Sequence, residues 1–236
     1  MSHTRLPKTY PESLRLKPKD PPSALARAKV HERKADGIRE DDEGRAHLQY
    51  LERWRALEAC ASSHAQKAQK ELAYRLGHEE PGPHEIVGHL LASLPVPRLK
   101  SLFGSASIPQ LNQALSKKNP PKMIGDNELL QDQGITARDF VRARQDLRFQ
   151  LGLQSYKSAQ ALSLYLFVVR AAADPKVRKR FALVNDMEAM EPANLLLRDV
   201  VTHIVEHLQI THDEFFAVGK REEHARAKTL PRGPRA

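Results

Sequence analysis

The sequence is poor in the residues that staple, pave or span other kinds of protein. It has a single cysteine, Cys60, so no intramolecular disulfide framework is open to it, and a reducing, cytoplasmic setting is expected. Aromatic residues make up 6% of 236 positions, too few for a large β-sandwich, whose strands draw on aromatic and β-branched side chains. Glycine is sparse, 11 residues against 16 prolines, a balance that suits helices separated by breakers. Apolar runs are short. The longest, residues 161–169 with Ser163 inside it, falls well below the ~20 residues that cross a bilayer, so no membrane insertion is expected. The first twenty residues are basic but lack the apolar stretch of a secretory signal. Also missing are a P-loop, a G-x-G-x-x-G after a strand, a G-x-S-x-G elbow and a CxxC pair. These absences argue against a phosphate cradle, a serine nucleophile and a redox dithiol. No cofactor is expected, and the chain reads as a non-enzyme.

Positive charge is present, and it is placed unevenly. The formal net charge is +9. Residues 1–39 hold ten Lys and Arg against four Asp and Glu, and residues 220–236 hold six against two. Those ends contribute +6 and +4, which leaves 40–219 at −1. Cationic, proline-containing ends attract polyanions such as nucleic acid or an anionic membrane surface, or they serve as solubilising tails. Residues 1–22 and 220–236 are therefore expected to be disordered basic tails flanking a nearly neutral body.

Within that body the periodicity is helical throughout. A short helix is expected over 23–34, capped by Ser23. A long one follows over 44–76, its stripe running through Leu48, Leu51, Trp54, Leu57, Ala61, Ala65, Ala68, Leu72 and Leu76 at gaps of three or four residues. Such a helix suits a bundle member or an arm for homo-oligomerisation. Shorter helices are predicted over 83–94, 97–103 and 108–118. The NPPKMIG stretch at 119–125 reads as a linker between an N-terminal region, 23–118, and a C-terminal core, 126–219. In that core, helices are predicted over 126–133, 136–151, 155–173, 175–184, 192–208 and 212–224. The 155–173 segment is apolar on nearly every side and should be its centre. No stretch alternates as a strand does. The expected fold is all-α, a multi-helix bundle with a long N-terminal helix and a compact C-terminal helical subdomain.

Two segments share a local pattern, GITARDF at 134–140 and QITHDEF at 209–215. In each, the isoleucine can anchor a turn, the threonine can cap a new helix, the acidic residue three positions on can complete a capping box, and the phenylalanine can pack back on the preceding helix. Over 129–148 and 197–221 this resembles the turn and second helix of helix-turn-helix DNA-binding domains. Gly134 stands where that motif prefers glycine, and Gln209 departs from it. The small residue of the motif's first helix is replaced by Leu130 and by Val205. The resemblance implies a nucleic-acid interface on the second helix, and the first segment is the better reader. Arg138, Arg142 and Gln145 fall at i, i+4, i+7 on one stripe, and Arg144 and Arg148 form a neighbouring pair. Arginine grips phosphates and can bond bidentately to guanine edges. The second segment opens with His212, Asp213 and Glu214, a poor approach to DNA. The 97–118 stretch, with Gly104 at its turn, is a looser match and reads as core packing.

Histidines supply one further motif. His203 to His207 has the form H-x-x-E-H, which is similar to the zinc motif of inverzincin peptidases; by that resemblance His203 and His207 would be ligands and Glu206 a base. The third, downstream glutamate has no suitable counterpart, so the segment reads as a helix face and no metal site is expected. His84 and His89 are one residue too far apart for H-E-x-x-H, because five residues turn a helix through about 500°. Cys60 reads as a packing residue. The expected partner is nucleic acid, DNA first; the alternative is a helical protein-interaction module such as an adaptor, a secretion-system component or a translocated effector.

Overall fold

The chain enters its first helix at Asp20, whose carboxylate accepts the Ser23 N–H at 3.0 Å. The helix, α1, runs over Pro21–Asp36. The cap lies three residues upstream of Ser23 because Pro21 and Pro22 need no N–H partner in a first turn and have φ preset for it. The computed structural model describes residues 19–39, 44–76, 81–116, 130, 135–147, 155–173 and 187–229. Among them all secondary structure is helical, and the fold is an all-α multi-helix bundle. After α1 come α2 (Arg45–Leu76), α3 (Pro83–Ala92), α4 (Val96–Phe103), α5 (Ser107–Ser116), α6 (Ala137–Asp146), α7 (Ser155–Ala173) and α8 (Met187–Thr229). None of these is long and apolar enough to cross a membrane. The linker at 119–125, the predicted helix at 175–184, Arg148 and most of the basic ends lie outside the described residues.

Gly44, at φ 73°, occupies the left-handed region that side chains disfavour. Its carbonyl accepts the His47 and Leu48 N–H groups at 2.9 and 3.1 Å and so opens α2. α2 is the axis of the molecule. α1 lies antiparallel to it, held by His31–Glu52 and Arg53–Asp36 contacts. α8 runs alongside in the same direction, through Arg45–Glu191 and Arg53–Asn194. α3 and α7 cover the remaining sides. Of residues 45–72, only Leu48, Arg55, Gln66, Lys67, Lys70 and Glu71 are exposed. The single stripe read from the sequence is therefore an underestimate. Tyr50, Ala56, Ala59 and Cys60 are buried as well. Over residues 45–72 the apolar surface of this helix is largely covered within the chain, and Leu48 is the one large apolar side chain exposed there.

α7 is buried along nearly its whole length, as its composition predicts. Phe167 meets Trp54 edge-on, with ring centroids 4.5 Å apart. The Tyr50 hydroxyl, buried among apolar groups, donates to the Leu166 carbonyl at 2.7 Å. Each such large side chain withdrawn from water contributes about 1.5–3 kcal/mol. Gly88 lets α3 approach α7: a Cβ there would lie 2.3 Å from Gln160 Oε1, and the Gln160 amide is already committed to the Glu85 carbonyl and the Tyr156 hydroxyl. Buried residues from both sides of the 119–125 segment belong to one continuous core.

The C-terminal helix departs from the sequence reading. Breaks were expected near Gln209–Thr211 and a tail from 220, whereas α8 continues without interruption over Met187–Thr229. The Thr211 hydroxyl donates to the His207 carbonyl one turn back, at 2.8 Å, instead of capping a new helix. Gln209 and Asp213 pair at i, i+4. With no glycine at 209 to leave the helix, the same residues satisfy themselves along it. QITHDEF is therefore not a turn, and the second helix-turn-helix resemblance fails.

Candidate nucleic-acid interface

The surviving pattern lies at α6. Ile135 is buried, and its N–H donates to the Leu130 carbonyl at 2.9 Å, a six-to-one closure of the kind that ends a helix. Thr136 then caps α6. Its hydroxyl oxygen accepts the Asp139 N–H at 3.2 Å, and the Asp139 carboxylate accepts the Thr136 N–H at 2.9 Å. This is the reciprocal box expected from the sequence. The inner face carries Phe140, Ala143 and Leu147, all buried. Phe140 stacks on Tyr165 of α7 at 5.0 Å, with ring planes 19° apart. The Tyr165 hydroxyl in turn donates to Asn112 of α5 at 3.0 Å. The phenylalanine thus packs on α7, a later helix; nearly all of the segment that precedes α6 lies outside the described residues.

The outer face brings Arg138, Arg142 and Gln145 together, all exposed, with Val141 46% exposed between them. Arg144 is exposed too, but it stands on the flank beside Tyr165, whose hydroxyl feels its charge. Arg142 and Arg144 also make contacts within the protein. Asp139, which follows Arg138, is engaged by Thr136.

The histidine motifs resolve into structural roles. Arg98 of α4 grips the Glu206 carboxylate, and that hydrogen bond holds the carboxyl below its ordinary range. His203 Nδ1 lies 3.4 Å from the same guanidinium. Glu206 therefore fastens α4 to α8. His84 and His89 diverge as their spacing requires: His84 packs on Phe167, whereas His89 pairs with His64. Among the described residues no three His, Cys, Asp or Glu side chains converge to hold a metal ion. Cys60 is wholly buried, and burial, with Glu32 nearby, pushes its thiol up to about 12. It is no nucleophile at neutral pH.

Two polar clusters were not read from the sequence. One is the chain His64, His89 and Glu71. The other is Arg53, 4% exposed, which donates to Asn194 and Asp36 at 2.6 and 2.9 Å while Asn194 donates to Gln49 at 2.8 Å. The available signal was weak: a polar residue at a helical position that shares a face with the core, as His64 does with Leu57, Ala61 and Ala68. Compared with known protein families, with curated proteins and with solved structures, the chain matches none.

Proposed function

We propose that the protein binds nucleic acid, duplex DNA first, through the outer face of α6, as a non-enzymatic regulatory factor or an accessory factor of replication or of a mobile element. The observation that supports this is the outward stripe of Arg138, Arg142 and Gln145 on a helix whose opposite face is locked into the core by Phe140. A helix of 10 residues is about 15 Å long, enough to lie in a major groove. Guanidinium groups there reach phosphates or guanine O6 and N7, glutamine reaches adenine, and the Val141 methyls suit a thymine methyl. The basic ends add sequence-independent phosphate contacts. This reading also places the protein where DNA is, in a reducing compartment that leaves Cys60 a thiol.

The test is anisotropy of a labelled duplex titrated with protein between about 50 and 200 mM salt. Binding should weaken steeply across that range. Arg138→Ala with Arg142→Ala should cost roughly tenfold or more in affinity and lower the salt slope by up to about 2. Lys100→Ala, an exposed cation on α4, should change little. No binding at low salt, or equal binding by the double variant, overturns the proposal.

A second reading rests on Val141. An apolar side chain framed by arginines also suits an acidic amphipathic helix of a protein partner, the behaviour of an adaptor, secretion-system component or translocated effector. Capture of one acidic partner after nuclease treatment, lost with Val141→Glu, supports it over DNA.

A further inference from the structure

α2 sets His64 and Glu71 seven residues apart, two turns along one face. α3 inserts His89 between them. His64 Nε2 lies 2.8 Å from His89 Nδ1, and His89 Nε2 lies 2.9 Å from Glu71 Oε2. The two rings are 8% and 6% exposed, while the Glu71 side chain is 45% exposed. A hydrogen-bonded chain thus leads from the interior, between two helices, to solvent.

Its chemistry limits how many protons it can hold. A bond between two imidazole nitrogens needs one N–H and one lone pair. With both rings neutral, His64 Nε2–H donates to His89 Nδ1, and His89 Nε2–H donates to the Glu71 carboxylate. One added proton is tolerated: either ring can become the cation while the nitrogens that face each other still share a single hydrogen. A second added proton puts hydrogen on both facing nitrogens, and two cations then meet in a buried site. We propose that this chain is an acid-opened latch between α2 and α3, closed while the rings share at most one added proton and released when acid loads both.

The surroundings make the second protonation costly. Burial holds the His64 ring down to about 4. His89 of α3, Lys67 of α2 and His207 of α8 act in the same direction, and Glu71 of α2 opposes them. α1 and α7 meet α2 at other points: His31 at Glu52, Tyr50 at the Leu166 carbonyl and Trp54 at Phe167. The chain just before α1 touches Ser62 through the Lys19 N–H. Ser62 is two residues, and so about 200°, around the helix from His64. In an unfolded chain His64 gains its proton near the ordinary histidine value. The folded state therefore binds fewer protons, and the latch's contribution is complete above pH ~6.5 and lost as pH falls towards 4.

The test compares urea midpoints of the wild type and His64→Phe from neutral pH down to about pH 4.5, so that other titrating groups cancel. The folded-to-unfolded ratio should fall at least about tenfold more in the wild type, since one unit of displacement is a factor of ten. His64→Gln, which keeps a hydrogen-bonding partner for His89 but cannot titrate, serves if the phenylalanine variant does not fold. On the wild type, ring 15N shifts should show His64 taking its proton well below the ordinary histidine range, and amide exchange corrected for pH should rise over 83–92 on acidification. Parallel pH profiles for wild type and variant, or a His64 ring that takes its proton at the ordinary histidine value, overturn the latch.

Discussion

Asn194 shows how much one side chain can decide. It is 2% exposed, accepts from the Arg53 guanidinium at 2.6 Å and donates to Gln49 at 2.8 Å. Arg53 continues the chain to Asp36, so α1, α2 and α8 are joined at one point. Nothing in the local pattern announces this, because the partners are 141 residues apart in sequence. Asn194→Leu should leave a buried guanidinium short of an acceptor and cost about 1–3 kcal/mol. Adding Arg53→Met should recover part of that loss, because an apolar pair removes the unmet need of the first variant. Urea denaturation of the two single variants and the double measures the coupling. A double variant as damaged as the sum of the singles would show that the pair is not coupled.

At the scale of the element, the two look-alike segments make a controlled comparison. Thr136 caps α6 with its hydroxyl oxygen accepting from Asp139 N–H, whereas Thr211 sits within α8 and donates its hydroxyl to His207. Thr136→Ala should cost about 1 kcal/mol. Thr211→Ala should lie within about 0.5 kcal/mol of wild type, because bonding back to the i−4 carbonyl adds little to a helix. Thermal melts of both variants decide it, and an equal cost at both sites would mean that α8 starts anew at 211. The start of α6 was legible because hydroxyl, carboxylate and buried phenylalanine all agree there. At 209–215 the same residue types fit a cap or a helix interior equally well. The choice falls to packing: Val200, Val201 and Ile204 bury one side of α8, and Lys29 of α1 reaches Gln209 at 3.3 Å.

For the molecule as a whole, acid and base pull on stability through different groups. Glu32 of α1 lies partly buried, and among the described residues its Oε1 meets no hydrogen-bond partner. Burial pushes its carboxyl up to about 6, with Arg53 opposing the shift. The folded state keeps this proton to higher pH than the unfolded chain does. The stability that Glu32 contributes is therefore present in acid and lost as pH rises from about 4.5 through 6. Glu32→Gln keeps the shape without the charge. It should be more stable than wild type by about 1 kcal/mol above neutrality, and the two should converge below pH ~4.5. Denaturation midpoints across that range check it, and a constant offset at every pH would show that the charge of Glu32 is not what matters.

Composition and periodicity settled the helical class, the extent of α2 and α7, the capped start of α6 and the sharing of one stripe by Arg138, Arg142 and Gln145. Each of these depends on interactions within a few residues, so the information is local. The tertiary structure alone decided that α2 is buried on most sides, that α8 runs through Thr211, and that His64, His89 and Glu71 meet. A helix wheel shows which residues share a face. Only the arrival of other helices determines how many faces are covered and which polar groups find partners there.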